Sequence, residues 1–174
     1  MKKTKDQLSA EASLRMVRSL IMKETRPLDN KNLAPGNLVF FTYDAKDKTN
    51  RWDRTPMVFC LRLSSNYLLG LNFHYLPVRR RKILYQYLFS LYGKEIEKQQ
   101  RIVFSWSQIR KFVLKLGKPV LRLYIRKRIS KRGVKIPFNL HQQAIELRVE
   151  TFIKGAPKGE VLFARASKAM KKRG

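Results

Sequence analysis

Acidic residues are scarce in this chain: 12 Asp and Glu stand against 39 Lys and Arg, a formal net charge of +27 over 174 residues. A fold carrying so much charge of one sign is weakened by self-repulsion unless a polyanion or counterions offset it. Nucleic acid is therefore the expected partner, ahead of an anionic membrane surface. Cysteine is almost missing as well. Cys60, the single one, can form no internal disulfide, and zinc sites built from several thiolates are excluded; inside an apolar run it reads as a small buried residue. No run approaches the length that spans a bilayer, and the first residues lack the apolar stretch of a signal peptide, so a soluble protein of a reducing compartment is expected. A P-loop, a dinucleotide fingerprint and a nucleophile elbow are all absent. The expectation is a protein that is not an enzyme and carries no cofactor or metal.

What is present is a globular pattern. The apolar fraction, 44%, is ordinary, and the length suits one domain with one real core. Three runs of β-branched, aromatic and aliphatic residues, 38–43, 56–63 and 67–73, are separated by polar turn formers and predict a small antiparallel sheet. Ser64, Ser65 and Asn66 make a short hairpin connection, and Gly70 marks a bulge or a close backbone approach. Past Pro77, residues Ile83, Leu84, Tyr87, Leu88 and Leu91 share one helix face, in a helix closed by Gly93. Ser105 and Gln108 have capping-box spacing ahead of Ile109, Phe112, Val113 and Leu116, which predicts a helix over 106–116.

A second helix is predicted from Pro119 to about Ser130, burying Val120, Leu121, Tyr124 and Ile125, with Arg122 and Arg126 one turn apart on its polar edge. Residues 133–138 read as extended, and 142–153 fit neither the helical nor the strand period. At the ends, Ala10, Leu14, Val17 and Ile21 mark an amphipathic helix over 7–24, and a short helix near Pro157 leads into a basic tail. The expected fold class is α+β, a small twisted antiparallel sheet or SH3-like barrel decorated by helices, with a basic C-terminal tail. Its segments are an N-terminal helix and connector (1–34), the sheet and its helix (35–92), a basic segment on the same core (93–156) and the tail (157–174).

The cations are not evenly spread. Arg79, Arg80, Arg81 and Lys82 fall in the first turn of a helix, where the dipole disfavours positive charge unless an anion binds; a phosphate site and a solvated charge run are the two readings. From 98 to 145 there is no Asp or Glu. Arg110, Lys111, Lys115, Lys118, Arg122, Arg126, Lys127, Arg128, Lys131 and Arg132 lie in that stretch and complete the candidate nucleic-acid-binding set. Nothing marks a recognition helix or zinc finger, so contact with the phosphate backbone is expected rather than base reading. A metal-dependent nuclease would want two or more carboxylates on one ion. Asp44, Asp47 and Asp53 share one loop but sit among cations and read as solvated turn residues, Asp53 as a turn former or a partner in an internal ion pair. Trp52 reads as a lid on one end of a core, ahead of an exposed recognition aromatic, Tyr124 as a core residue, ahead of a ring that stacks on a base, and His74 as a structural histidine.

The order of residues carries a resemblance. PG-x-L-x-FF-x-YDAK-x-K from Pro35, W-D-x-x-P-x-VF from Trp52, GLNFHYLP from Gly70 with R-x-x-L at Arg81, then KP-V-x-x-x-Y from Lys118 and the Ile136-Pro137 step resemble the DNA end protector family of T-even-type tailed bacteriophages. The similarity is dense over 35–81 and looser over 118–137. It implies a small basic virion protein that binds the termini of a linear genome and shields them from host exonuclease, located in the virion and in the host cytoplasm during assembly and after injection. DNA is the implied partner, with phage head, portal or tail proteins as further ones and no membrane. A structural head or tail assembly protein, contacting packaged DNA or an acidic protein surface, is the alternative. The chain departs from the family pattern at 110–118 and at Leu140, His141, Gln142 and Gln143, where contacts with partners need not be shared.

Overall fold

The structure is a computed structural model that describes residues 19, 23, 26–28, 33–45, 52–116, 120–129, 133–150 and 152. The helix expected over 7–24, the short helix near Pro157 and the basic tail lie outside the described residues. A short strand, β1 (Arg26–Pro27), is followed by the three predicted runs as β2 (Leu38–Phe40), β3 (Met57–Leu63) and β4 (Tyr67–Asn72), with β2 antiparallel to β3 and β3 to β4. Strand alternation sorts their side chains between two clusters. Leu38, Met57, Phe59, Leu61 and Leu71 join the larger one, beneath the helices. Val39, Val58, Cys60 and Leu68 join the smaller one on the opposite face. A sheet covered on both sides needs apolar residues at successive positions, which is why β3 reads as a nearly unbroken hydrophobic run. Gly70 is required by close approach: a Cβ there would lie 2.3 Å from Val58 Cγ1 and 2.7 Å from the Phe59 carbonyl oxygen, beside a register shift between Cys60 and Arg62. The smaller cluster closes with Phe41, Tyr43 and Tyr124 ring edge to ring face, and half-buried Trp52 stands against Tyr43 as its lid.

The first helix, α1 (Val78–Glu97), does not stop at Gly93. It bends at Tyr92, whose backbone leaves the helical region while its ring packs on Phe104, and then runs on for another turn. Its end is a Schellman arrangement built on Gln99, at φ 51: Gln99 N–H donates to the Ile96 carbonyl and Gln100 N–H to that of Glu95. The second helix, α2 (Trp106–Leu116), buries Ile109, Val113 and Leu116. Its predicted capping box does not form, because Ser105 Oγ meets Ser107 Oγ and Gln108 Oε1 accepts from Tyr92.

The helix expected from Pro119 is instead a strand, β5 (Leu121–Ile125), antiparallel to β4 from Tyr67↔Ile125 to Leu71↔Leu121. The spacing of Leu121, Tyr124 and Ile125 suits a helix, yet Leu-Arg-Leu-Tyr-Ile also alternates. The open ladder of β4 decides, because its backbone groups need partners. A 3₁₀ turn (Arg126–Arg128) follows. Then come β6 (Val134–Lys135), within the stretch expected to be extended, and α3 (His141–Glu146), which settles the first part of the ambiguous stretch as helix. The sheet order is β1-β6-β2-β3-β4-β5. A single bridge, Tyr43↔Ile129, draws the chain beyond β2 toward the chain beyond β5, but among the described residues the SH3-like barrel does not close. The class is α+β, as expected.

Candidate nucleic-acid interface

Four adjacent cations open α1, and the fold gives them different roles. Arg79 and Arg80 are exposed. Lys82 is half exposed and its Nζ lies 2.6 Å from Glu146 Oε1 on α3. Arg81 is 1% exposed and corrects the expectation of a phosphate ligand. Its Nε donates to the Leu76 carbonyl at 2.8 Å and its guanidinium to those of Leu147, at 2.7 Å, and Ile145, at 3.4 Å; the remaining nitrogen bonds the Glu150 carboxylate. Burial lowers its pKa to about 10, against the pull of Asp53, so the group remains charged at neutral pH. Arg81 is a clasp holding the start of α1 to the segment after α3.

Arg110, Lys111 and Lys115 lie on the exposed side of α2, opposite Ile109 and Val113. This helix is fixed on α1 by Tyr87, which stacks on Phe112 at 4.1 Å and donates to the Gln108 carbonyl. The third group lies on β5 and its turn. Because β5 is a strand, Arg122 and Arg126 are not one helical turn apart. Arg122 is half-buried, its guanidinium 4.4 Å over the Tyr75 ring. Arg126 donates to the Ser64 carbonyl at 2.7 Å, and Arg128 reaches Asp44 Oδ2 at 3.4 Å, while Lys127 is exposed. Lys118, Lys131 and Arg132 lie outside the described residues, as does Asp47.

Of the loop carboxylates, the two described, Asp44 and Asp53, do not converge. Asp44 is exposed beside Arg128, whereas Asp53 is 3% exposed. Asp53 accepts from His74 Nδ1 at 2.8 Å, from Asn72 Nδ2 at 3.1 Å and from the Thr55 amide at 3.1 Å. The same Asn72 amide reaches the Tyr124 hydroxyl at 3.0 Å, and burial pushes that phenol well above its ordinary range. Asp53 is thus a turn former, as its position suggested, and is hydrogen-bonded to His74, but it is buried rather than solvated. His74 is structural, with 0% exposure. Sealed from solvent, the network ties the loop to the sheet. Among the described residues no group of three or more His, Cys, Asp or Glu is placed to hold a metal.

Sequence reasoning missed one surface feature. Between β3, β4 and the segment leading into α2 runs a groove of about 520 Å³, lined by Leu61, Leu69, Val103 and Trp106, with Arg62 and Arg101 beside them. These residues are far apart in sequence, and only the exposed tryptophan at the head of an amphipathic helix hinted at it.

No curated protein and no solved structure matches the chain. A family model does, over residues 2–165, well beyond the two segments that carry the resemblance. The chain belongs to the family of the phage T4 terminal DNA protecting protein.

Proposed function

We propose that the chain protects the ends of linear phage DNA by occupying them, binding the phosphate backbone without reading sequence and without catalysing any reaction. The family description, a terminal DNA protecting protein, supports DNA ends as the ligand and protection as the role. One observation carries the mechanism: Arg110, Lys111 and Lys115 stand together on the exposed side of a helix within a stretch that contains no acid. Cations arranged this way attract phosphates irrespective of base. Arg79, Arg80, Lys82 and Lys127 extend the contact, with the outer parts of Arg122, Arg126 and Arg128; Lys118, Lys131, Arg132 and the basic tail add to it from the rest of the chain. Such a protein is carried in the virion and acts in the host cytoplasm.

With about six phosphates neutralised, log K falls against log salt with a slope of roughly −5. A flat slope in a titration with duplex DNA, or divalent-metal-dependent cleavage of that DNA, would contradict this reading. A second reading, an assembly protein that contacts phage head, portal or tail proteins, is favoured by a different surface. The cavity between α1 and α3 is lined by Phe89, Phe138, Gln86, Asn139 and Gln143, with no cation among the described residues that line it, which suits a protein surface better than phosphates.

A further inference from the structure

Cations explain binding to DNA but account for little of a preference for its ends, since every internal phosphate offers the same charge and a terminal phosphate monoester adds at most about one more. Besides its terminal phosphate and hydroxyl groups, an end offers the face of its last base, the one large apolar surface of a duplex that stacking does not cover. An apolar surface with cations at its margin is therefore suited to favour ends. The groove beside α2 has that composition. Trp106 is 48% exposed at its mouth and Val103 is 88% exposed. On β5, Leu123 is 59% exposed and pairs across the ladder with groove residue Leu69, which extends the apolar wall. Arg62 and Arg101 flank it and form no ion pair among the described residues. No carboxylate is among the described residues that line it.

The groove is also built firmly. Its floor segment is docked by the Ile102 amide, which donates to the Pro35 carbonyl, and by Phe104, edge to face with Phe59. Gly36, at φ 97, lets Ile102 lie against it, since a Cβ there would meet Ile102 Cδ1 at 2.6 Å. The volume of about 520 Å³ falls within the roughly 300–1,000 Å³ of small-ligand sites.

We infer that this groove receives the terminal nucleotide of a DNA end, its base stacked on Trp106 against the Leu61, Leu69 and Leu123 wall and its phosphates between Arg62 and Arg101. The inference rests on the end-protecting reading, and the two fail separately. The backbone cations set the salt dependence; the groove sets the ratio of affinities for linear and closed circular DNA.

The test uses duplexes carrying 2-aminopurine either at the terminal or at an internal position, bound by the full chain. Binding changes the fluorescence of the terminal probe and leaves the internal one unchanged. Trp106→Ala lowers the preference for ends by roughly tenfold, the effect of removing one aromatic–base stack, with the salt slope unaltered, and Trp106→Phe restores most of it. Should the alanine variant fold poorly, Val103→Asp, at a position nearly all in solvent, places a carboxylate at the mouth and lowers the preference in the same direction. An unchanged end preference in these variants overturns the inference while leaving backbone binding in place. So does a terminal probe that responds no more than the internal one. If Trp106→Ala abolishes a dimer without affecting the terminal probe, the groove belongs to a second copy of the chain and the inference is equally wrong. A wild-type protein that binds no DNA at all removes the end-protecting reading itself.

Discussion

Two buried groups show how single residues hold this fold against its own charge. Arg81 has four acceptors from three places in the chain, and truncating it leaves the Glu150 carboxylate and three carbonyls without their donor. Breaking a buried pair in this way costs about 3–5 kcal/mol, a large part of the roughly 5–15 kcal/mol that stabilises a domain. Arg81→Ala is therefore expected to lower the urea midpoint sharply, whereas Arg79→Ala, at an exposed position, leaves it unchanged. His141 acts through pH. Its ring is 1% exposed and bonded at both nitrogens, to the Ile136 carbonyl at 3.0 Å and to the Tyr85 hydroxyl at 2.8 Å. Burial holds its pKa down to about 4, from an ordinary 6.5. Between those values the unfolded chain binds the proton and the native state does not, so stability is full above pH 6.5 and falls as pH drops toward 4. Two and a half units amount to about 3 kcal/mol. Urea titrations across this range should show the loss in the parent protein and a flatter acid limb in His141→Gln; equal slopes would contradict the assignment. Neither role was legible in the sequence. Arg81 sits among three cations that do face solvent, and three of its four partners are more than sixty residues away.

At the scale of elements, the strands from Leu38 to Asn72 were legible because each needs apolar residues on both faces and the hairpin between β3 and β4 is short. What misled was β5. Its residues satisfy two periods at once, and the choice rests on the edge of β4, contributed by Tyr67 to Leu71 far earlier in the chain. Gly93 misled in the same way, because contacts of Tyr92 with a segment beyond the helix decide where the axis bends. The helix α2 was read correctly in its bounds and in its buried face, which is why its exposed cations carry the binding proposal. Substituting Lys111 and Lys115 together by Ala removes two phosphate contacts. The expected result is a salt slope shallower by about 2, with thermal stability unchanged because both side chains point into solvent. A slope that stays the same would take α2 out of the interface.

For the whole molecule, a net charge of +27 announces a polyanion but says nothing about where on it the protein sits. The fold supplies a candidate for that second property. One sheet covered on both faces leaves a groove beside α2 that is apolar with cations at its margin, and it brings together residues from β3, β4 and the 101–106 segment that no local pattern connects. Charge is thus the part of the function visible in composition, and end preference the part that needs three-dimensional placement. The central claim is that protection comes from occupying ends. It is tested most directly by following exonuclease digestion of a linear duplex, with protein supplied at about one molecule per end, while unlabelled competitor DNA is added. Linear competitor should expose the labelled duplex to digestion, and closed circular DNA of equal base-pair content should leave it largely protected. Equal competition by the circle, or protection only once the whole duplex is coated, would contradict the account.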